Sequence, residues 1–160
     1  MRPNMNRAVF AGFTGSMLIT LMTLFVSPFL RGGAMDIATM LSDLFVPSWF
    51  GGAATYLLMG GVILPALYAR YLYRWLSGNP TRRGMICGLM LWLVSQAVVM
   101  PMMGAGFMSV RMGGLMVVIG SLLGHLVYGL VLGFGTGSAH RTTYRATAHF
   151  HPGLRLRRVG

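Results

Sequence analysis

Between Gly114 and Phe134 the chain reads GLMVVIGSLLGHLVYGLVLGF, without one formally charged side chain. At a rise of about 1.5 Å per residue such a run makes a helix of roughly 30 Å, the thickness of a bilayer's hydrocarbon core. Three more stretches of this kind lie at about residues 8–27, 53–73 and 85–103. The sequence therefore predicts an all-α integral membrane protein with four transmembrane helices over residues 1–135, followed by a basic tail over 136–160.

Composition points the same way. Of 160 residues, 55% are hydrophobic and 9% charged. That leaves too little polar surface for a water-soluble globule and too much continuous apolar sequence for a disordered chain. The cations are all arginine, and eleven of the thirteen fall at alternate ends of the spans. They are Arg2 and Arg7 before the first, Arg70, Arg74, Arg82 and Arg83 between the second and third, and Arg141, Arg145, Arg155, Arg157 and Arg158 after the fourth. Arg31 and Arg111 occupy the other two connections. The positive-inside bias puts both termini and Asn79 in the cytoplasm, with Ser42 and Ser109 as outward, reagent-accessible positions. Charge placed beside apolar segments is expected to meet anionic lipid headgroups, not nucleic acid. The first stretch follows a basic start but lacks a small-x-small cleavage site, so it is expected to be a retained span.

The connections add detail. Residues 34–46 predict a short amphipathic helix, too short to cross a bilayer and so either interfacial or re-entrant between spans one and two. Trp49 and Phe50 mark the interface after it, Pro65 predicts a kink near Gly61, and Ser77-Gly78-Asn79-Pro80 predicts a tight turn. Small residues recur at helical spacing: Gly12, Ser16 and Thr20 in span one, Gly84 and Gly88 in span three, Gly120, Gly124, Gly129 and Gly133 in span four. Such stripes are helix-packing surfaces, for the chain's own spans, for a second copy or for other membrane proteins.

Few residues carry chemistry. His125 is ionisable at mid-span, where ionisable groups are expensive and face the bundle interior. Ser121 and Tyr128 share its face, and Gln96 and Thr20 lie at similar depth. These groups either lock helices together by hydrogen bonds or form a proton relay or ligand site. Met100, Met102, Met103, Met108, Met112 and Met116 cluster at the outer connection as packing groups, or, for the first five, as soft Cu(I) donors. Asp36 and Asp43 share one side of the short helix, as a solvated face or a partner for Arg31 or Arg111. Cys87 is the lone cysteine, which excludes an intrachain disulfide and a Cys-x-x-Cys motif. No nucleophile turn and no phosphate-binding loop is present, so no catalytic residue, cofactor or metal is expected.

Met35-Asp36 with Met40-Leu41, Pro101-Met102-Met103-Gly104-Ala105-Gly106, and Gly124-His125-Leu126-Val127-Tyr128-Gly129 with Leu132-Gly133 together resemble an uncharacterised bacterial family of small four-span membrane proteins. The resemblance covers most of residues 5–135. It implies that fold and the bacterial inner membrane, with no reaction attached. The expectation is a non-catalytic structural or accessory component of a membrane assembly. The alternative is a small transporter or channel for protons or a metal cation such as Cu(I), using His125 and the outer methionines.

Overall fold

Polar caps decide where the helices begin. Asn79 holds extended backbone, its side chain accepts the Arg82 N–H at 2.8 Å, and Pro80 fills the first helical position. That combination satisfies an orphan donor where proline costs nothing. Ser48 does the same for the preceding helix, accepting the Gly51 N–H at 3.0 Å. In the computed structural model, which describes residues 3–25, 29, 37–44, 47–112 and 114–137 (the backbone alone at 37, 43 and 44), the helices are α1 (Met5–Phe25), α2 (Ile37–Leu44), α3 (Trp49–Trp75), α4 (Pro80–Met102) and α5 (Gly114–Thr136), with a 3₁₀ turn at Phe107–Ser109. All but α2 are long and apolar enough to cross a membrane. α3 and α4 start several residues before the apolar runs read from the sequence, because helix continues through interfacial side chains to the cap.

Two prolines lie inside spans, and each follows a π-turn. Over Met59–Ile63 the backbone widens so that the Leu64 N–H bonds the Met59 carbonyl, and Pro65 comes next. Over Ser95–Val99 the Met100 N–H bonds the Ser95 carbonyl, and Pro101 comes next. A proline supplies no N–H and crowds the preceding turn. The wide turn relieves that crowding, and the first of the two lies at Gly61, where the sequence predicts a kink.

The helices pack in the order α3, α1, α5, α4. The α4–α5 contact brings backbone against backbone, because glycines face glycines: a Cβ on Gly84 would strike the Gly129 carbonyl oxygen and the Gly133 backbone. A Cβ on Gly88 would strike the His125 carbonyl. In α1 the same device lets α3 and α5 approach, with Gly12 against Pro65 and Gly15 under the Tyr128 ring. The small-residue stripes thus close the chain's own interfaces.

Sequence neighbours α3 and α4 meet at the end of the bundle that carries the termini. Tyr68, Tyr73 and Cys87 there join Ala8, Ala11, Ala69, Tyr128 and Leu132 in the buried core. Arg83 seals this end, with Nη1 donating to the Tyr73 carbonyl at 2.9 Å and its guanidinium 4.8 Å from that ring's centre. It thereby satisfies a carbonyl near the C-terminus of α3 and gains a cation–π contact. Trp75, 89% exposed, and Tyr71 stand outside the core beside Arg70 and Arg74. At the other end α2 lies on the start of α3, so close that a Cβ on Gly52 would meet the Ala38 carbonyl.

Gly129→Ala is expected to destabilise the protein by about 1–3 kcal/mol, because its methyl would meet the backbone of α4, which cannot turn aside. Gly124→Ala on the same helix has Ile19 Cγ1 at 3.9 Å as nearest neighbour and is expected to be neutral. Thermal unfolding of both variants in detergent checks this; equal midpoints would refute the close-packed α4–α5 seam.

Candidate functional site

The half of the bundle away from the termini is hollow. A cavity of about 530 Å³ lies between α1, α3, α4 and α5. Tyr128, Ser16, Leu64 and Leu91 line its deep end, while Met40 and Leu41 of α2, Met102, Met103 and Ser109 line it near the connections. It exists because α3 and α4 are held together near their turn and diverge beyond it. Among the described residues seven methionines line it, Met22, Met40, Met59, Met100, Met102, Met103 and Met116, and none of the lining residues carries a formal charge.

The polar groups of the lining are tied down in a definite order. Gln96 is fully buried, its Nε2 donating to Ser121 Oγ at 3.1 Å and its Oε1 accepting from Ser109 Oγ at 2.9 Å. A primary amide in an apolar interior needs such partners at both ends. Ser109 reaches Gln96 because the connection turns sharply inward: Gly104 and Gly106 both have φ of 77°, and Met108 and Ser109, which are not glycine, have φ of 54° and 52°. Two successive side chains in the left-handed region are strained, and the buried Ser109–Gln96 bond holds them there. Ser42 and Ser109, expected to be reagent-accessible, are both buried.

His125 Nδ1 lies 2.8 Å from the Ser121 backbone carbonyl. A carbonyl can only accept, so Nδ1 carries the proton and Nε2 keeps a lone pair. Among the described residues Nε2 has no partner. Of the partners expected for His125, which were Ser121, Gln96 and a span-one threonine, it is Ser121 that bonds it, through its carbonyl, while the Ser121 hydroxyl serves Gln96. Thr20 turns to its own helix, donating to the Ser16 carbonyl at 3.0 Å.

Tyr128 shares the face of His125 but points across to α3, donating its hydroxyl to the Gly60 carbonyl. Gly60 needs that donor: in a π-turn its partner is five residues on, at Pro65, which has no N–H. Tyr56 ties the same helix to α1, donating to the Ser16 carbonyl at 2.8 Å. Ser16 lines the cavity, but its hydroxyl is turned away into the packed wall, where among the described residues it makes no hydrogen bond.

Of the six outer methionines, Met100, Met102, Met103 and Met116 line the cavity, and Met108 and Met112 do not. Met22, Met40 and Met59 join them from other helices. The acid pair cannot be placed, since Asp36 and the Asp43 side chain lie outside the described residues, as do Arg31 and the tail beyond residue 137. Ser16, Tyr56, Gly60 and Ser109 were missed as site residues. Only Gly60 carries a signal in sequence, standing five residues before a mid-span proline.

The chain belongs to a family of unknown function, DUF6789, which it matches over residues 3–147. No curated protein and no solved structure matches it.

Tyr128→Phe keeps the ring and removes the donor, leaving the Gly60 carbonyl unpaired in an apolar interior. It is expected to lower stability by about 0.5–2 kcal/mol. His125→Asn breaks only a bond within one helix and is expected to cost less. Unfolding midpoints in detergent decide the ranking, and a Tyr128→Phe midpoint at the wild-type value would remove the hydroxyl as the cap of the π-turn.

Proposed function

We propose that this member of the family is a non-catalytic accessory protein of the bacterial inner membrane that holds a small lipophilic molecule in the cavity between its spans. The cavity itself is the observation that carries this reading. Its volume of about 530 Å³ falls within the range of about 300–1,000 Å³ usual for ligand sites, and its wall of apolar side chains with a few placed polar groups is of the usual kind. Methionine suits such a wall, since its unbranched, polarisable side chain adapts to irregular apolar shapes. A role confined to packing through free glycine faces is less well supported, because Gly84, Gly88, Gly129 and Gly133 are already engaged with one another. Among the described residues the wall that His125 shares holds no carboxylate, lysine or cysteine to work with it in catalysis.

Handling of Cu(I) is the second reading. Met100, Met102 and Met103 are brought into one cavity with His125, a donor set of the soft kind that Cu(I) takes. Against it, only part of the expected methionine cluster faces inward, and among the described residues no group of three His, Cys, Asp or Glu is placed to hold an ion.

Protein purified in mild detergent is expected to retain an extractable apolar molecule at close to one per chain, found by mass spectrometry of the organic extract. Leu64→Trp with Val99→Trp fills the cavity and should remove it while the protein stays folded. An extract identical for the filled variant would end the proposal, and stoichiometric Cu(I) retained after anaerobic loading and lost in Met102→Leu with Met103→Leu would put metal handling first.

The arginine asymmetry supports cytoplasmic termini. In a Cys87→Ser background, Val110→Cys, at a position 65% exposed, should react with an impermeant thiol reagent added to intact cells, and Asn79→Cys should not. The reverse pattern would invert the topology.

A further inference from the structure

The cavity's polar end is selective about what can lie against it. Among the described residues none that lines it bears a charge, so a carboxylate, phosphate or ammonium head placed at the deep end would lose its hydration without gaining a counter-ion from them, a loss of several kcal/mol. The deep end therefore excludes charged heads and admits neutral ones. Among neutral heads, His125 discriminates further. The Ser121 carbonyl holds the proton on Nδ1, so Nε2 offers a lone pair and can only accept. A ligand with only ether or carbonyl oxygens would leave that lone pair unpaired.

The other polar groups of the wall are not open to a ligand. Tyr128, Tyr56 and Gln96 are committed to protein partners, and the Ser16 hydroxyl is buried out of reach of the cavity space. His125 Nε2 is therefore the polar point that the deep end offers.

We infer that the cavity takes a neutral lipid with a hydrogen-bond-donating head, an alcohol or phenol, whose O–H donates to His125 Nε2 and whose hydrocarbon lies among the methionines. This rests on the lipophilic-ligand reading of the cavity. A hydroxyl fits the point because it is neutral and donates. The methionines set no chain shape, so the head carries the specificity and the tail carries the apolar contact.

The test uses the full-length protein in detergent with farnesol and its methyl ether, which share a hydrocarbon skeleton but differ in the donor. Affinity is read by native mass spectrometry and by the rise in unfolding midpoint. Farnesol is expected to bind about five-fold more tightly than the ether, the worth of one net hydrogen bond. That preference should vanish in His125→Phe and return in part in His125→Gln, which restores an acceptor. Equal binding of both compounds to the wild-type protein would overturn the head-group assignment and leave a cavity that takes plain hydrocarbon. Binding of neither compound would overturn the lipophilic-ligand reading itself. The wild-type comparison needs no variant, so a His125→Phe protein that failed to fold would not shield the inference.

Discussion

In a hydrocarbon environment a peptide group left without a partner has no water to turn to, and each such group costs several kcal/mol. The fold depends on how the chain meets that demand at Pro65 and Pro101. Each proline follows a π-turn that moves hydrogen bonds one residue along and leaves a carbonyl facing a residue without an N–H. At Pro65 the deficit falls on Gly60, and Tyr128 of α5 makes it good from across the bundle. One phenol thus joins the third and fifth helices at the boundary between packed core and hollow, with Gly15 cleared to let its ring pass.

The same chain builds two unlike halves. Towards the termini, glycines against glycines and alanines against tyrosines bring backbones into contact and leave no room. Beyond the Tyr128 level, α3 and α4 separate, and long flexible side chains stand around a space they do not fill. Dense packing at one end is what allows a cavity at the other, since a hollow forfeits dispersion contacts that the rest of the structure must offset.

Much of the architecture was legible in sequence. Four apolar runs of span length, the Asn79-Pro80 start and the mid-span prolines are local signals, and local signals survive without knowledge of the fold. His125, Ser121 and Gln96 were legible because polar groups are rare in such runs, and they do line one site. Their partners were not. Ser109 bonds Gln96 only because four residues with positive φ fold the connection inward, and Tyr128 meets Gly60 across 68 residues of sequence. The methionines teach the same lesson: Met108 and Met112 are neighbours of Met103 in sequence but not in the cavity, while Met22, Met40 and Met59 arrive there from distant helices.

The order α3, α1, α5, α4 has a consequence for how the protein is made. α1 is made first, yet its contacts with α5, including the Gly15–Tyr128 fit, await a helix that leaves the ribosome more than a hundred residues later. At about 5–20 residues per second, α1 waits on the order of 5–20 s with that flank unoccupied. Its Phe10, Phe13, Leu21 and Phe25 stay exposed even in the finished fold, while the narrow strip at Ala8, Ala11, Gly12 and Gly15 stays vacant for the last arrival. The final helix is thus the keystone of assembly, and a chain cut short before Gly114 would carry every residue of α1 and α3 but lack the side chain that locks them to a common partner.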